Sequence, residues 1–202
     1  YKNESQRYKI AEKNGEGIEY LLKSVTKLFE GNYLNGKKNG KGKEYDENGN
    51  EFEGEYLKGK KINGTKYDQR WNIIFKLENG KGREYYKNGN LQFEGEYYNG
   101  KRWNGKGYNI IGDEEFVIKY GKGIGKEYDY YGRLLFEGEY VNGLKHGKIK
   151  GYNNYKMNFA YLDFEGEYKN GFKNGKGKEY YQYKILKYEG EYKYGKRNGK
   201  GK

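Results

Sequence analysis

The pentapeptide Phe-Glu-Gly-Glu-Tyr occurs unchanged at Phe52–Tyr56, Phe93–Tyr97, Phe136–Tyr140 and Phe164–Tyr168, with close variants at Phe29–Tyr33 and Tyr188–Tyr192. A chain that restates one phrase this often stacks copies of one supersecondary unit, because a single copy cannot bury its own apolar face. The spacing between anchors doubles twice. Degenerate copies opening at Phe75 and Phe116 fill those gaps, and another opens at Tyr8. Anchors near 8, 29, 52, 75, 93, 116, 136, 164 and 188 then define nine units. At about 22–23 residues each, they are read as one repeat domain over 1–202, with incomplete end units.

Each unit reads as two short strands and two turns. In the copy at Phe93, Leu91–Tyr98 is the first strand, Asn99–Gly105 a turn region, and a second strand follows around Lys106–Asn109. Asn-Gly at both turn positions, as at Asn35-Gly36 and Asn48-Gly49, suits the positive φ angles of tight hairpins. The expected fold class is therefore all-β, an up-down meander of antiparallel hairpins. Strand alternation puts Phe29, Tyr33, Phe52, Tyr56, Phe93, Tyr97, Phe136, Tyr140, Phe164, Tyr168, Tyr188 and Tyr192 on one face. Gly31, Gly54, Gly95, Gly138, Gly166 and Gly190 share that face, and the flanking glutamates take the other. A gap at each glycine invites a ring from the neighbouring strand to lie over it.

Composition fits a thin structure. Apolar residues are 33% and aromatics 19%, with 27 Tyr and 9 Phe. Mean hydropathy is −1.36, a value that suggests disorder, but so aromatic a chain is not a disordered one. There is no Cys, which excludes disulfides and thiolate metal sites and is compatible with a reducing compartment. An intracellular location, cytoplasmic or membrane-peripheral, is the expectation. No apolar run is long enough to span a bilayer, and the first residues lack a secretory core. A chain opening at Tyr1 is expected to be a fragment or a processed product.

No catalytic constellation is apparent, and neither enzyme activity nor a cofactor is expected. His146 is the single histidine and is read as a turn residue. Paired carboxylates such as Glu94 and Glu96 recur in every clear unit, whereas an active site is singular, so they read as a solvated face paired with lysines of the next strand. Gly-x-Gly strings such as Gly40-Lys41-Gly42 lack the helix and Lys-Ser/Thr ending of a phosphate loop. Trp71 and Trp103 stand in or near irregular copies, where tolerated drift and a partner contact are the competing readings. A third irregular stretch surrounds Tyr155.

The phrase resembles the MORN repeat. Phe164-Glu165-Gly166-Glu167-Tyr168-Lys169-Asn170-Gly171-Phe172-Lys173-Asn174-Gly175-Lys176-Gly177 follows that pattern nearly throughout. Leu144-Lys145-His146-Gly147 restores its usual histidine, and Glu84–Leu91 is similar to the bacterial MORN variant. The resemblance implies an elongated array of hairpins in one twisted antiparallel sheet, used as a scaffold. It also implies phospholipid binding, which is contested for the family, and homodimerisation through array ends. Phe75 and Phe116 depart from the pattern by lacking the Glu-Gly-Glu centre, so irregular pairing is expected there.

Net charge is +12. Lys37, Lys38, Lys60, Lys61, Lys101, Arg102, Lys145, Lys173, Lys196 and Arg197 all fall in the first turn of a unit. Stacking would line them along one edge as a basic ridge of roughly 85 Å. Charged turns that merely keep the array soluble are the plain reading of that ridge. The leading functional expectation is a non-enzymatic scaffold for protein partners. Binding to anionic membrane phospholipid through the ridge is the alternative. A carbohydrate- or cell-wall-binding hairpin repeat is a third, set back by the presence of only two Trp. Nucleic acid is disfavoured because glutamates interrupt the positive track.

Overall fold

In the computed structural model, residues 14–21, 24–154 and 160–201 are described. The anchor Tyr8 and the irregular Tyr155 lie outside them. The described chain is β-strands joined by short turns, with one 3₁₀ turn at Gln182–Lys184. It divides into two compact units, residues 1–84 and 85–202.

The first unit holds β1 (Gly15–Tyr20), β2 (Lys27–Leu34), β3 (Lys37–Tyr45), β4 (Glu51–Leu57), β5 (Lys60–Tyr67), β6 (Ile73–Glu78) and β7 (Lys81–Tyr85). Each strand pairs antiparallel with the next in sequence. The second unit opens with β8 (Leu91–Tyr98), β9 (Lys101–Tyr108) and β10 (Glu114–Ile118). It continues with β11 (Gly123–Tyr128), β12 (Leu134–Val141), β13 (Leu144–Asn153), β14 (Tyr161–Lys169), β15 (Phe172–Tyr180), β16 (Leu186–Lys193) and β17 (Lys196–Gly201), again in sequential order.

The expectation of one sheet is corrected at β10. Regular ladder pairing stops there, and only an isolated bridge between Lys119 and Lys122 links β10 to β11. Ile118 stands where a regular copy has glycine. Its side chain lies beside Gly123 and Gly125. The break is bridged by packing: Phe93, Phe116 and Ile118 form a buried cluster with Tyr97 and Tyr140 against it.

The first turn is also shorter than the sequence reading. Asn99 and Gly100 have φ of 49° and 73°, the two-residue turn whose twist matches the strands. The second strand therefore begins at Lys101, well before Lys106. The dibasic residues belong to the start of these strands rather than to the turns, and His146 likewise lies inside β13.

The core is one ring thick. Phe29, Phe52, Phe93, Phe136 and Phe164 are at most 3% exposed. The rings of Phe29, Phe52, Phe93 and Phe164 lie over glycines. A methyl group at Gly42 would sit 2.5 Å from Cζ of Phe29, and one at Gly31 would sit 3.0 Å from the same atom. The ring over Gly31 thus comes from its own strand, two residues back, and it reaches across to the facing glycine. This corrects the expectation of a neighbour's ring. The phenylalanines then meet tyrosines edge-on, both in their own copy (Phe29–Tyr33, 5.5 Å) and in the next (Phe29–Tyr56, 5.1 Å; Phe164–Tyr192, 5.4 Å), the geometry that ring quadrupoles favour.

Candidate functional site

The aromatic face is roofed by cations. Lys38 Nζ lies 4.1 Å from the centre of the Phe29 ring, Lys61 4.4 Å from Phe52, Lys145 4.0 Å from Phe136 and Lys173 4.1 Å from Phe164. The guanidinium groups of Arg102 and Arg197 cover Phe93 and Tyr188 at 4.5 and 4.2 Å. A two-residue turn explains the placement. It sets Lys38 opposite Tyr33 in the register, on the face that holds Phe29. The aliphatic stem covers the ring while the charged end reaches a carboxylate.

That carboxylate comes from the second strand of each hairpin. Lys38 and Lys61 both bind Glu44, at 3.2 and 2.6 Å. Lys145 binds Glu127 at 2.8 Å, and Lys173 binds Glu179 at 3.2 Å with Arg197 on its other oxygen. Burial alone would raise the Glu179 carboxyl. Its hydrogen bonds from Arg197 and Lys173 outweigh that and hold it down at about 2. Glu44 is likewise lowered, against burial, by Lys61 and Lys38. Arg102 also donates to the Lys126 carbonyl at 3.3 Å.

Of the ten basic residues read as a ridge, Lys38, Lys61, Arg102, Lys145, Lys173 and Arg197 are thus engaged with the chain's own rings and acceptors. Lys37, Lys60 and Lys196 are exposed at the hairpin ends, and Lys101 is half-buried there. Tyr98, Phe172 and Tyr194, at 59%, 56% and 72% exposed, share those ends. Sequence reading missed this division. Counting residue parity through a two-residue turn was the signal that separates the two cations.

The opposite face carries a groove. In the second unit Gly125, Gly138, Ile149, Gly166, Gly177, Gly190 and Gly201 form one cross-strand line. These positions, Ile149 included, turn toward the aromatic face, while the residues on either side project outward here, so backbone forms the floor between two charged walls. The resulting cavity measures about 1330 Å³. The first unit repeats the device on a floor of Gly31, Gly42 and Gly54, with about 910 Å³.

The two walls differ. Glutamates of the inner wall accept from tyrosines of the following strand, Tyr45 to Glu30 at 2.9 Å, Tyr152 to Glu137 at 3.0 Å, and Tyr180 to Glu165. Lysines join them, as Lys150 does with Glu137 at 3.0 Å. Burial and the glutamate bond push the Tyr152 and Tyr180 hydroxyls up to about 12. The outer wall of Glu139, Lys148, Glu167, Lys176 and Glu191 is exposed. Among the described residues, Lys148 and Lys176 have no carboxylate within ion-pair distance. These charges are the ones left to meet a partner.

The tryptophans separate as well. Trp71 is 64% exposed and has φ of 64°, at the turn position that is Gly49 in the preceding copy. Trp103 is half-buried, 5.1 Å from the Tyr98 ring, and its carbonyl accepts from Gly121 of the next hairpin. Among the described residues no group of His, Cys, Asp and Glu side chains has a metal-binding arrangement.

The MORN repeat model matches residues 29–51, 76–91, 136–148, 164–182 and 188–202. The chain carries MORN repeats. Four of the five matches open on an anchor aromatic, Phe29, Phe136, Phe164 or Tyr188. MORN repeats occur in membrane-associated and protein-interaction proteins and form a binding family rather than an enzyme family. No curated protein matches the chain.

Proposed function

We propose that this MORN array is a non-enzymatic, intracellular scaffold that holds protein partners in its glycine-floored grooves. The observation that carries the reading is the outer wall of the second unit. Lys148 and Lys176 stand exposed and unpaired beside an open floor, whereas the roofing cations of the other face are satisfied within the chain. Surface ion pairs contribute little to folding, so an alternating charged wall around bare backbone is better suited to recognition. The test is capture from the native source with the wild type and with Lys148→Glu/Lys176→Glu. Partners held by the first and lost by the second are expected. A partner set indifferent to the exchange would overturn the groove as the working surface.

A second reading has its own observation. Exposed Tyr98, Phe172 and Tyr194 stand at the hairpin ends of the second unit with Lys101 and Lys196, an aromatic and basic mixture suited to an anionic membrane surface. With six of the ten cations engaged internally, this attraction is weaker than net charge suggests. Co-sedimentation with phosphatidylserine vesicles at low salt, reduced by Lys101→Glu/Lys196→Glu, is expected on this reading. Equal recovery of wild type and variant in the supernatant removes it.

A further inference from the structure

From the charge order of the second unit's groove, and resting on the scaffold reading above, we infer that it accepts an α-helix carrying alternating pairs of basic and acidic residues. Each strand brings one sign to both walls. β12 presents Glu137 and Glu139, and β13 presents Lys150 and Lys148. β14 to β16 continue the order with Glu165 and Glu167, then Lys178 and Lys176, then Glu189 and Glu191. The groove is thus banded negative, positive, negative, positive, negative, and its charges nearly cancel. A uniformly charged partner gains at one band what it loses at the next. Only a partner that alternates in step gains at all five.

The step selects the partner's conformation. Adjacent strands are about 4.8 Å apart, so the five bands extend over about 19 Å. An α-helix lying along the floor advances about 5.4 Å per turn, about 22 Å over the same four steps. An extended strand returns a residue to one face every two residues, about 6.8 Å, and reaches about 27 Å. Long Lys and Glu side chains absorb the helix's drift of about 2–3 Å, but not the strand's drift of about 8 Å. A polyproline helix repeats every three residues, about 9.3 Å, and so meets only every second band. Two adjacent helical residues point about 100° apart, which places one against each wall. No further side chain of the same turn projects onto the backbone floor between them. The fitted pattern is a dilysine and a diglutamate alternating turn by turn, with alanine at the remaining positions.

The probe is a designed helical peptide of about 20 residues with that pattern, about 30 Å long, titrated by fluorescence anisotropy. Controls are the same composition scrambled, a proline-interrupted version and a uniformly dilysine version. The patterned helix should bind at least about tenfold more tightly than any control. Lys148→Glu/Lys176→Glu, whose exchanged side chains are exposed, should lose about tenfold and regain it with a peptide carrying lysine along the whole facing flank. Circular dichroism of the variant confirms that it folds. Equal binding of the proline-interrupted or uniformly basic peptide overturns the inference. If no peptide binds while native partners still depend on Lys148 and Lys176, the helix is overturned and the scaffold reading stands. If native partners are also indifferent, both fall.

Discussion

Gly42 has no room for a methyl group, because the Phe29 ring already fills that space. The same holds at Gly95, where an added Cβ would meet the Asn104 carbonyl and the Gly105 backbone. Gly95→Val should therefore cost about 1–3 kcal/mol, the range of overpacking and strand distortion. Chemical denaturation checks it, and a change within a few tenths of a kcal/mol would contradict the close approach of the two strands at Gly95. The opposite sign is expected at Trp71. A left-handed conformation costs a non-glycine residue about 1–2 kcal/mol, and Trp71 is largely exposed, recovering only a tilted contact with Tyr67 at 5.6 Å. Trp71→Gly should stabilise by about 0.5–1 kcal/mol. Calorimetry decides; a lowered melting temperature would mean that the Tyr67 contact outweighs the backbone strain.

At the scale of a hairpin, stability is held by the roofing cation and the carboxylate beneath it. Lys173→Gln would leave Glu179 with Arg197 as its one remaining paired cation and uncover Phe164, an expected loss of about 1–2 kcal/mol. The same elements set the acid limit. Glu179 and Asp46 are held at about 2 in the folded chain, and Glu44 and Glu137 are also lowered, in each case by basic or hydrogen-bonding neighbours acting against burial. In the unfolded chain such groups titrate near 4. A lowered folded value stabilises fully above that point and is lost as pH falls through the folded value. Stability should therefore be level near neutrality and decline between about pH 4.5 and 2. Denaturant midpoints taken across that window measure it, and a midpoint unchanged down to pH 2.5 would show that the cation–glutamate pairs contribute nothing. The groove tyrosines act in the other direction. Tyr152 and Tyr180 are raised to about 12, so their contribution holds below about pH 10 and fades as pH rises toward 12.

Across the whole molecule, each hairpin contacts mainly its neighbours in sequence. Stability in such an array is close to a sum of local terms. Hydrogen exchange on Gly42→Ala should show lost protection in β2 to β4 and unchanged protection in β14 to β17. A uniform loss along the chain would contradict a locally stabilised array. The break at Ile118 is the exception within the second unit. There the ladder hands over to side-chain packing among Phe93, Phe116 and Tyr140, and Phe116→Ala should loosen both flanks together.

The repeat, its all-β class and the division into a ring-and-glycine face and a glutamate face were legible in the sequence, because a two-residue side-chain period and Asn-Gly turns are local properties. First strands such as Leu91–Tyr98 were legible to the residue for the same reason. Tertiary structure alone decided what the cations do. Lys37 and Lys38 are neighbours of one type, yet the two-residue turn sends Lys38 across Phe29 to Glu44 and leaves Lys37 in water. It also decided which glutamates are tied down by tyrosine from the next strand and which remain exposed on the outer wall. Those outcomes depend on register between strands and on what a glycine leaves uncovered, and neither is a property of one segment read by itself.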